Sequence, residues 1–157
     1  KAAIRGVSMD MWPAFITATR RHIPDADRKI GFDKFHVAKL LGEAVDKVRR
    51  QEHRALLAEG VGTLKGSKYA WLSNPGNMTD AQRERFTALR DSTLKTARAW
   101  AIKDMAMQLW GYQSRAWAEK AWRRWLAWAQ RCRLAPVQAV AKTIRRQLWG
   151  ILNAIVL

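Results

Sequence analysis

Apolar residues at Ile4, Val7 and Met9 alternate imperfectly and stop at Asp10, predicting a short strand that is approached from Ala2. Trp12-Pro13 then opens a helix that runs to about residue 22 through Phe15, Ile16 and Ala18, with proline near the first turn where its missing N–H costs nothing. Pro24 ends it. Ile30 and Phe32 alternate in a second short strand that stops at Asp33. Two strands, each ending in an aspartate and joined by one helix, predict a piece of an α/β layer that is too small to bury a core alone.

From Lys34 onward the apolar positions follow helical spacing. Val37, Leu41, Ala44 and Val48, extended by Ala55 and Leu56, predict a helix to about residue 59. Gly60, Gly62, Gly66, Pro75 and Gly76 mark a loop. Thr79-Asp80-Ala81-Gln82 reads as a capping box that opens a helix to about residue 91. Further helices are predicted over about 93–111 and, capped by Ser114, to about 133, and Pro136 starts the last. Val137, Ala141, Ile144, Leu148, Ile151 and Ile155 recur at spacings of four and three, one stripe suited to a bundle helix more than to a coiled coil. The expected fold class is mainly α: an α/β strand–helix–strand piece followed by a helical domain. The chain opens on Lys1 and closes inside an apolar helical pattern without a capping residue, so an internal piece of a longer protein is expected.

A length of 157 residues suits one domain, or one domain plus part of a neighbour, and 48% apolar with 27% charged residues argues against disorder. The charge balance alters the picture. Lys and Arg number 29 against 13 Asp and Glu, net +16, and residues 92–157 carry twelve basic against two acidic side chains. Such a chain is expected to meet a polyanion, with nucleic acid the first candidate. The single cysteine, Cys132, excludes a disulfide framework and a cysteine-built zinc site, and it fits a reducing compartment. No run approaches the roughly 18 apolar residues of a membrane span, and no secretory signal opens the chain. A cytoplasmic bacterial or similar intracellular protein is expected, with no membrane span. Nine Trp outnumber four Phe and two Tyr together, so large rings with a polar edge dominate the aromatic content.

Two constellations carry candidate chemistry. On the helix after Ser114, a wheel drawn at about 100° per residue puts Trp117, Trp128, Trp125 and Trp122 in one sector, in that order around the axis. Lys120, Arg123, Arg124 and Arg131 occupy the other side of the wheel. This is either a Trp-packed core helix with a solvated back or a surface on which Trp122 and Trp125 stack on unpaired bases while the cations hold phosphates. The second constellation is Asp10 and Asp33 at strand ends, where a carboxylate suits magnesium as well as a helix cap or turn. Other motifs fail. Residues 62–68 hold phosphate-loop ingredients in the wrong order, with no strand before and no helix after. His22, His36 and His53 lack zinc-ligand spacing, and the five methionines read as core filling.

Met9-Asp10-Met11-Trp12-Pro13-Ala14-Phe15, Ile23-Pro24-Asp25-Ala26 and Phe32-Asp33-Lys34-Phe35-His36-Val37 resemble bacterial insertion-sequence transposases of the "ISL-three" group. Glu43-Ala44-Val45-Asp46-Lys47-Val48-Arg49, Leu64-Lys65-Gly66-Ser67-Lys68-Tyr69 and Leu94-Lys95-Thr96-Ala97-Arg98-Ala99-Trp100 continue the resemblance over essentially the whole chain. It implies a ribonuclease-H-like core whose Asp, Asp and Glu bind two magnesium ions, with a helical domain inserted before the Glu. Asp10 then resembles the second catalytic Asp and a magnesium ligand. Asp33 and His36 resemble a supporting Asp-x-x-His. Residues 1–35 would be partial catalytic core, 36–141 the helical insertion, and 142–157 a helix leading back towards the core. Such insertions contact the transposon end. DNA-binding candidates are Lys65, Lys68, Lys120, Arg123, Arg124, Arg131, Lys142, Arg145 and Arg146. The first Asp, the Glu and the DNA-reading terminal domains of the family lie outside this sequence. One acid of three cannot hold two metals, so the chain by itself is expected to be inactive.

The leading expectation is part of a DDE transposase that performs magnesium-dependent DNA cleavage and strand transfer in its intact form. The resemblance further implies a nucleoid-associated protein whose partner is DNA, with no small-molecule substrate. The alternative is a catalytically dead, basic helical DNA- or RNA-binding remnant. A third reading uses the stripe from Ile144 to Ile155 to form a homo-oligomer.

Overall fold

The structure, a computed structural model, describes residues 3–157. β1 (Val7–Met9) and β2 (Ile30–Phe32) pair in parallel, with Val7 opposite Ile30 and Met9 opposite Phe32. Parallel neighbours require a crossover, supplied here by α1 (Pro13–His22) and the single turn α2 (Ala26–Lys29). α1 has Pro13 in its first turn and Arg20, Arg21 and His22 in its last, where cations favour the helix dipole. The pattern did not predict α2. It follows Pro24 and is entered through Asp25 in the left-handed conformation, φ 57°, which an aspartate tolerates better than most residues. The predicted strand approach at Ala2 lies outside the described residues, and Ile4 is exposed ahead of β1.

The remainder is helical: α3 (Lys34–Ala58), α4 (Lys68–Leu72), α5 (Asp80–Arg90), α6 (Lys95–Gln108), α7 (Arg115–Arg131), α8 (Ala135–Arg146) and α9 (Leu148–Val156). The mainly α expectation holds. α3 packs along α6 and α8, and α7 packs on α6, α8 and α9. Trp71, Phe86 and Trp100 form an edge-to-face chain at 5.5 and 5.1 Å between ring centroids, joining α4, α5 and α6. The capping box of α5 is formed: Gln82 N–H donates to Thr79 Oγ1 at 3.2 Å and Thr79 N–H to Gln82 Oε1 at 2.9 Å. Ser114 does stand at the N-cap of α7, but its side chain makes no capping hydrogen bond. The loop after Gly62 is followed by a helix after all, the five-residue α4. Ser67 organises that stretch: its hydroxyl donates to the Leu64 carbonyl at 2.7 Å and accepts from Trp71 Nε1 at 3.2 Å.

The N-cap of α6 is Leu94, whose side chain makes no capping hydrogen bond. Glu52 of α3 takes that role. Its carboxylate accepts from Lys95 N–H at 2.6 Å, Thr96 N–H at 2.9 Å and the Thr96 hydroxyl at 2.7 Å. A negative charge on exposed N–H groups at a helix start stabilises both the cap and the dipole. Glu52→Ala is expected to lower stability by about 1–3 kcal/mol, and Glu52→Gln by less. Urea denaturation checks this ordering.

The predicted last helix is two helices. The backbone leaves helical geometry at Gln147, φ −106° and ψ 11°, and α9 turns to lie on β2. The approach is close: a Cβ on Gly150 would overlap the Phe32 ring, and one on Gly31 would fall 3.1 Å from Ala154 Cα. Glycine at these two positions allows helix and strand to meet. The stripe Val137, Ala141, Ile144, Leu148 and Ile151 is buried within the chain. The stripe from Ile144 to Ile151 is therefore used in the chain's own core, and Ile155 is half-buried against it. Among the described residues no helix is long and apolar enough to cross a membrane.

Candidate active site

The parallel pairing brings the C-terminal ends of β1 and β2 side by side. The pairing extends one step further, because Asp33 N–H donates to the Met9 carbonyl at 3.2 Å. Asp10 therefore emerges beside the start of α3. One of its oxygens, Oδ1, accepts from Met11 N–H at 2.6 Å, which fixes the carboxylate to its own turn. The other, Oδ2, lies 3.8 Å from Nδ1 of His36, and both side chains are partly open to solvent.

Asp33 behaves differently. It is the N-cap of α3, with Oδ1 accepting from Phe35 N–H at 2.9 Å. A carboxylate in this role satisfies an orphan donor and complements the helix dipole. Its cap places His36 on the first turn of α3, facing Asp10. Of the three residues singled out at the strand ends, the fold joins Asp10 with His36 and assigns Asp33 to hold the helix that carries His36.

Asp10 has the chemistry of a magnesium ligand: an oxygen donor at a strand end, with one oxygen turned away from its backbone contact. Among the described residues no group of three or more His, Cys, Asp or Glu side chains gathers to hold a metal ion. Asp10 fits as one ligand, and this part of the chain does not complete a coordination shell.

The tryptophan candidates require a correction. Trp122 and Trp125 are 0% and 3% exposed. Trp122 packs edge-on against Trp110 at 4.9 Å and Trp125 at 5.6 Å, and Trp125 Nε1 donates to the Ile102 carbonyl at 2.8 Å. Neither ring can reach a base. The exposed rings of α7 are Trp117, 62%, and Trp128, 43%, with Lys120 Nζ over the Trp117 ring at 5.4 Å. The missed signal was small residues: Ala118 and Ala129, both buried, fall between Trp125 and Trp122 on the same wheel and mark the side of closest packing.

The basic candidates sit on the surface. Lys120, Arg124 and Arg131 share one exposed face of α7, and Lys142, Arg145 and Arg146 are exposed on α8. None of these six is in an ion pair among the described residues. Arg123 is partly neutralised by Glu119 at 2.8 Å. Lys65 and Lys68 are exposed around the turn that leads into α4, where the Lys65 carbonyl accepts from Arg85 at 2.7 Å.

Comparison with known proteins gives consistent matches. The DDE_Tnp_ISL3 family model, described as Transposase, matches residues 1–156. The chain is 30% identical over 152 residues to the transposase for insertion sequence element IS1001 of Bordetella parapertussis, an alignment covering 95% of this chain and 37% of that protein. It is 28% identical over 170 residues to the transposase for insertion sequence element IS1557 of Mycobacterium tuberculosis (strain ATCC 25618 / H37Rv), covering 92% of this chain and 37% of that protein. The chain spans 37% of the length of these curated relatives. No solved structure matches.

Proposed function

We propose that this chain, which belongs to the DDE_Tnp_ISL3 family of transposases, supplies one catalytic carboxylate and a DNA-gripping helical surface to the excision and insertion of an insertion sequence. The observation that carries the reading is Asp10 at the end of a parallel strand with His36 Nδ1 at 3.8 Å. β1, α1 and β2 are the part that contributes to a ribonuclease-H-like core. In the intact protein, water attacks the phosphodiester at the transposon end and releases a 3′-hydroxyl, which then attacks target DNA. Magnesium, when bound, supplies positive charge to the reacting phosphate oxygens. Asp10 contributes an oxygen ligand, Asp33 holds the start of α3, and His36 positions the Asp10 carboxylate. The unpaired cations of α7 and α8 bind phosphates, a contact that positions DNA without reading its sequence.

The test is incubation of the protein that carries this chain with a plasmid bearing the element's ends. Nicks at the element boundary that require magnesium are expected, together with binding that weakens steeply as salt rises. Salt-insensitive binding, or no boundary cleavage with any divalent cation, overturns the reading.

A further inference from the structure

α3, α4 and α6 enclose an open groove of about 590 Å³. Its cations are Lys39, Lys47 and Arg50 from α3, Lys68 from α4 and Lys103 from α6. Two acids share it. Asp46 is occupied by Arg49 at 2.9 Å and Arg50 at 3.2 Å, which leaves Glu43 against four lysines outside any ion pair among the described residues. The floor is apolar, made by Ala38, Gly42 and Leu72, with Phe35 at one end.

Two features distinguish this groove from a merely solvated charged face. Phe35 is 68% exposed, a large ring held in water on the first turn of α3. It meets the His36 ring edge-on at 5.9 Å between centroids, and His36 faces Asp10. The aromatic end of the groove therefore adjoins the acid. Lys103 is the second feature. It is half-buried over Gly42, where an added methyl would come 3.7 Å from its Nζ. Burial pulls its ammonium below the ordinary lysine range, while Asp104 pushes it back up. A partly desolvated ammonium interacts more strongly with a phosphate than a fully hydrated one does.

We infer that this groove is a track for single-stranded DNA, with phosphates along the lysines and a base on Phe35, leading the strand to Asp10. Cationic walls alone would suit any nucleic acid backbone. The apolar floor and the free ring suit the face of an unpaired base, which a duplex keeps stacked inside. Residues 35–50 of α3 extend about 22 Å, room for several nucleotides in sequence. The inference rests on the transposase reading, and it goes further by naming the strand state and its path.

Fluorescence anisotropy of a labelled 20-mer oligothymidylate and a 20-base-pair duplex, each titrated with the protein that carries this chain at several salt concentrations, tests it. Phe35→Ala is expected to weaken oligothymidylate binding about 10-fold, the loss of one stacked base, and to leave duplex binding nearly unchanged. Lys39→Gln combined with Lys47→Gln is expected to flatten the single-strand salt slope by about 1.4, two phosphate contacts. Lys103→Met is expected to weaken oligothymidylate binding while melting no lower than the wild type, because it removes a half-buried charge and keeps the stem. Lys142→Gln with Arg145→Gln, outside the groove, is expected to weaken both probes alike. If the groove variants bind oligothymidylate as the wild type does, the track is overturned and DNA binding elsewhere stands. Equal loss for duplex and single strand in Phe35→Ala overturns the single-strand assignment. If the wild type binds neither probe at low salt, the DNA-gripping role proposed above falls with it.

Discussion

Asp10→Asn, placed in the protein that carries this chain, is expected to lower cleavage at the element's ends by about 10²–10³-fold or more, the cost of losing one fixed charge at a reacting phosphate. End binding is expected to survive. The substitution is isosteric, and an amide oxygen can still accept from Met11 N–H as Oδ1 does at 2.6 Å, so the turn after β1 keeps its shape. The lost feature is the negative Oδ2 that faces His36. The phosphate contacts proposed for α7 and α8 lie far along the chain from this turn. His36→Asn is expected to reduce cleavage less, because in the proposed mechanism His36 only neighbours the Asp10 carboxylate, at 3.8 Å, and supplies no oxygen ligand. Cleavage at the wild-type rate in Asp10→Asn would remove Asp10 from the active site. Parallel loss of cleavage and binding would mean that the substitution had damaged the fold.

Asn153→Leu is expected to cause the largest loss of stability, about 3–4 kcal/mol, the sum of two stranded backbone acceptors and a lost charged contact. Asn153 is buried and uses its amide on three partners. Nδ2 donates to the Asp27 carbonyl at 2.8 Å and the Ile30 carbonyl at 2.7 Å, and Oδ1 accepts from Arg115 at 2.7 Å. One side chain thus ties α9 to the turn that launches β2 and to the start of α7. Leucine has the same branched skeleton, somewhat bulkier, and offers no donor. Asn153→Asp keeps an acceptor for Arg115 but aims a carboxylate at two carbonyls, so it is expected to be at least as damaging. Both should lower the urea midpoint without changing the slope. A shift below about 1 kcal/mol would show that these carbonyls find other donors. Because α9 covers β2, the same substitutions loosen the strand that precedes Asp33 and His36.

Local signals in the sequence were enough for much of the fold. Pro13, the Thr79–Gln82 box and the alternation at Ile30 and Phe32 placed α1, α5 and β2 closely, because each depends on residues a few positions apart. Contacts between distant residues left no such trace. Nothing in the stripe from Val137 to Ile155 signals a break at Gln147; the break arises because α8 packs on α3 while α9 must reach the sheet. The Glu52 cap joins positions 43 residues apart. On α7 the wheel identified the aromatic sector correctly, but it could not say which part of that sector faces inward, and Trp122 and Trp125 proved to be core. At the candidate site, Asp10, Asp33 and His36 stood out through a family resemblance and their strand-end positions. The division of labour among them, with Asp33 as a cap and Asp10 facing His36, needed the parallel register of β1 and β2. The groove beside Phe35 draws on α3, α4 and α6 together, so no single segment disclosed it.

Iron-directed backbone cleavage tests most directly whether Asp10 holds a metal. Iron(II) takes the place of magnesium in the protein that carries this chain, and peroxide then generates hydroxyl radicals that cut the polypeptide near the bound ion. Cuts beside Asp10 and His36 are expected, suppressed by excess magnesium and absent in Asp10→Asn. Cuts confined to other segments, or a pattern unchanged by Asp10→Asn, would contradict the assignment of Asp10 as a metal ligand.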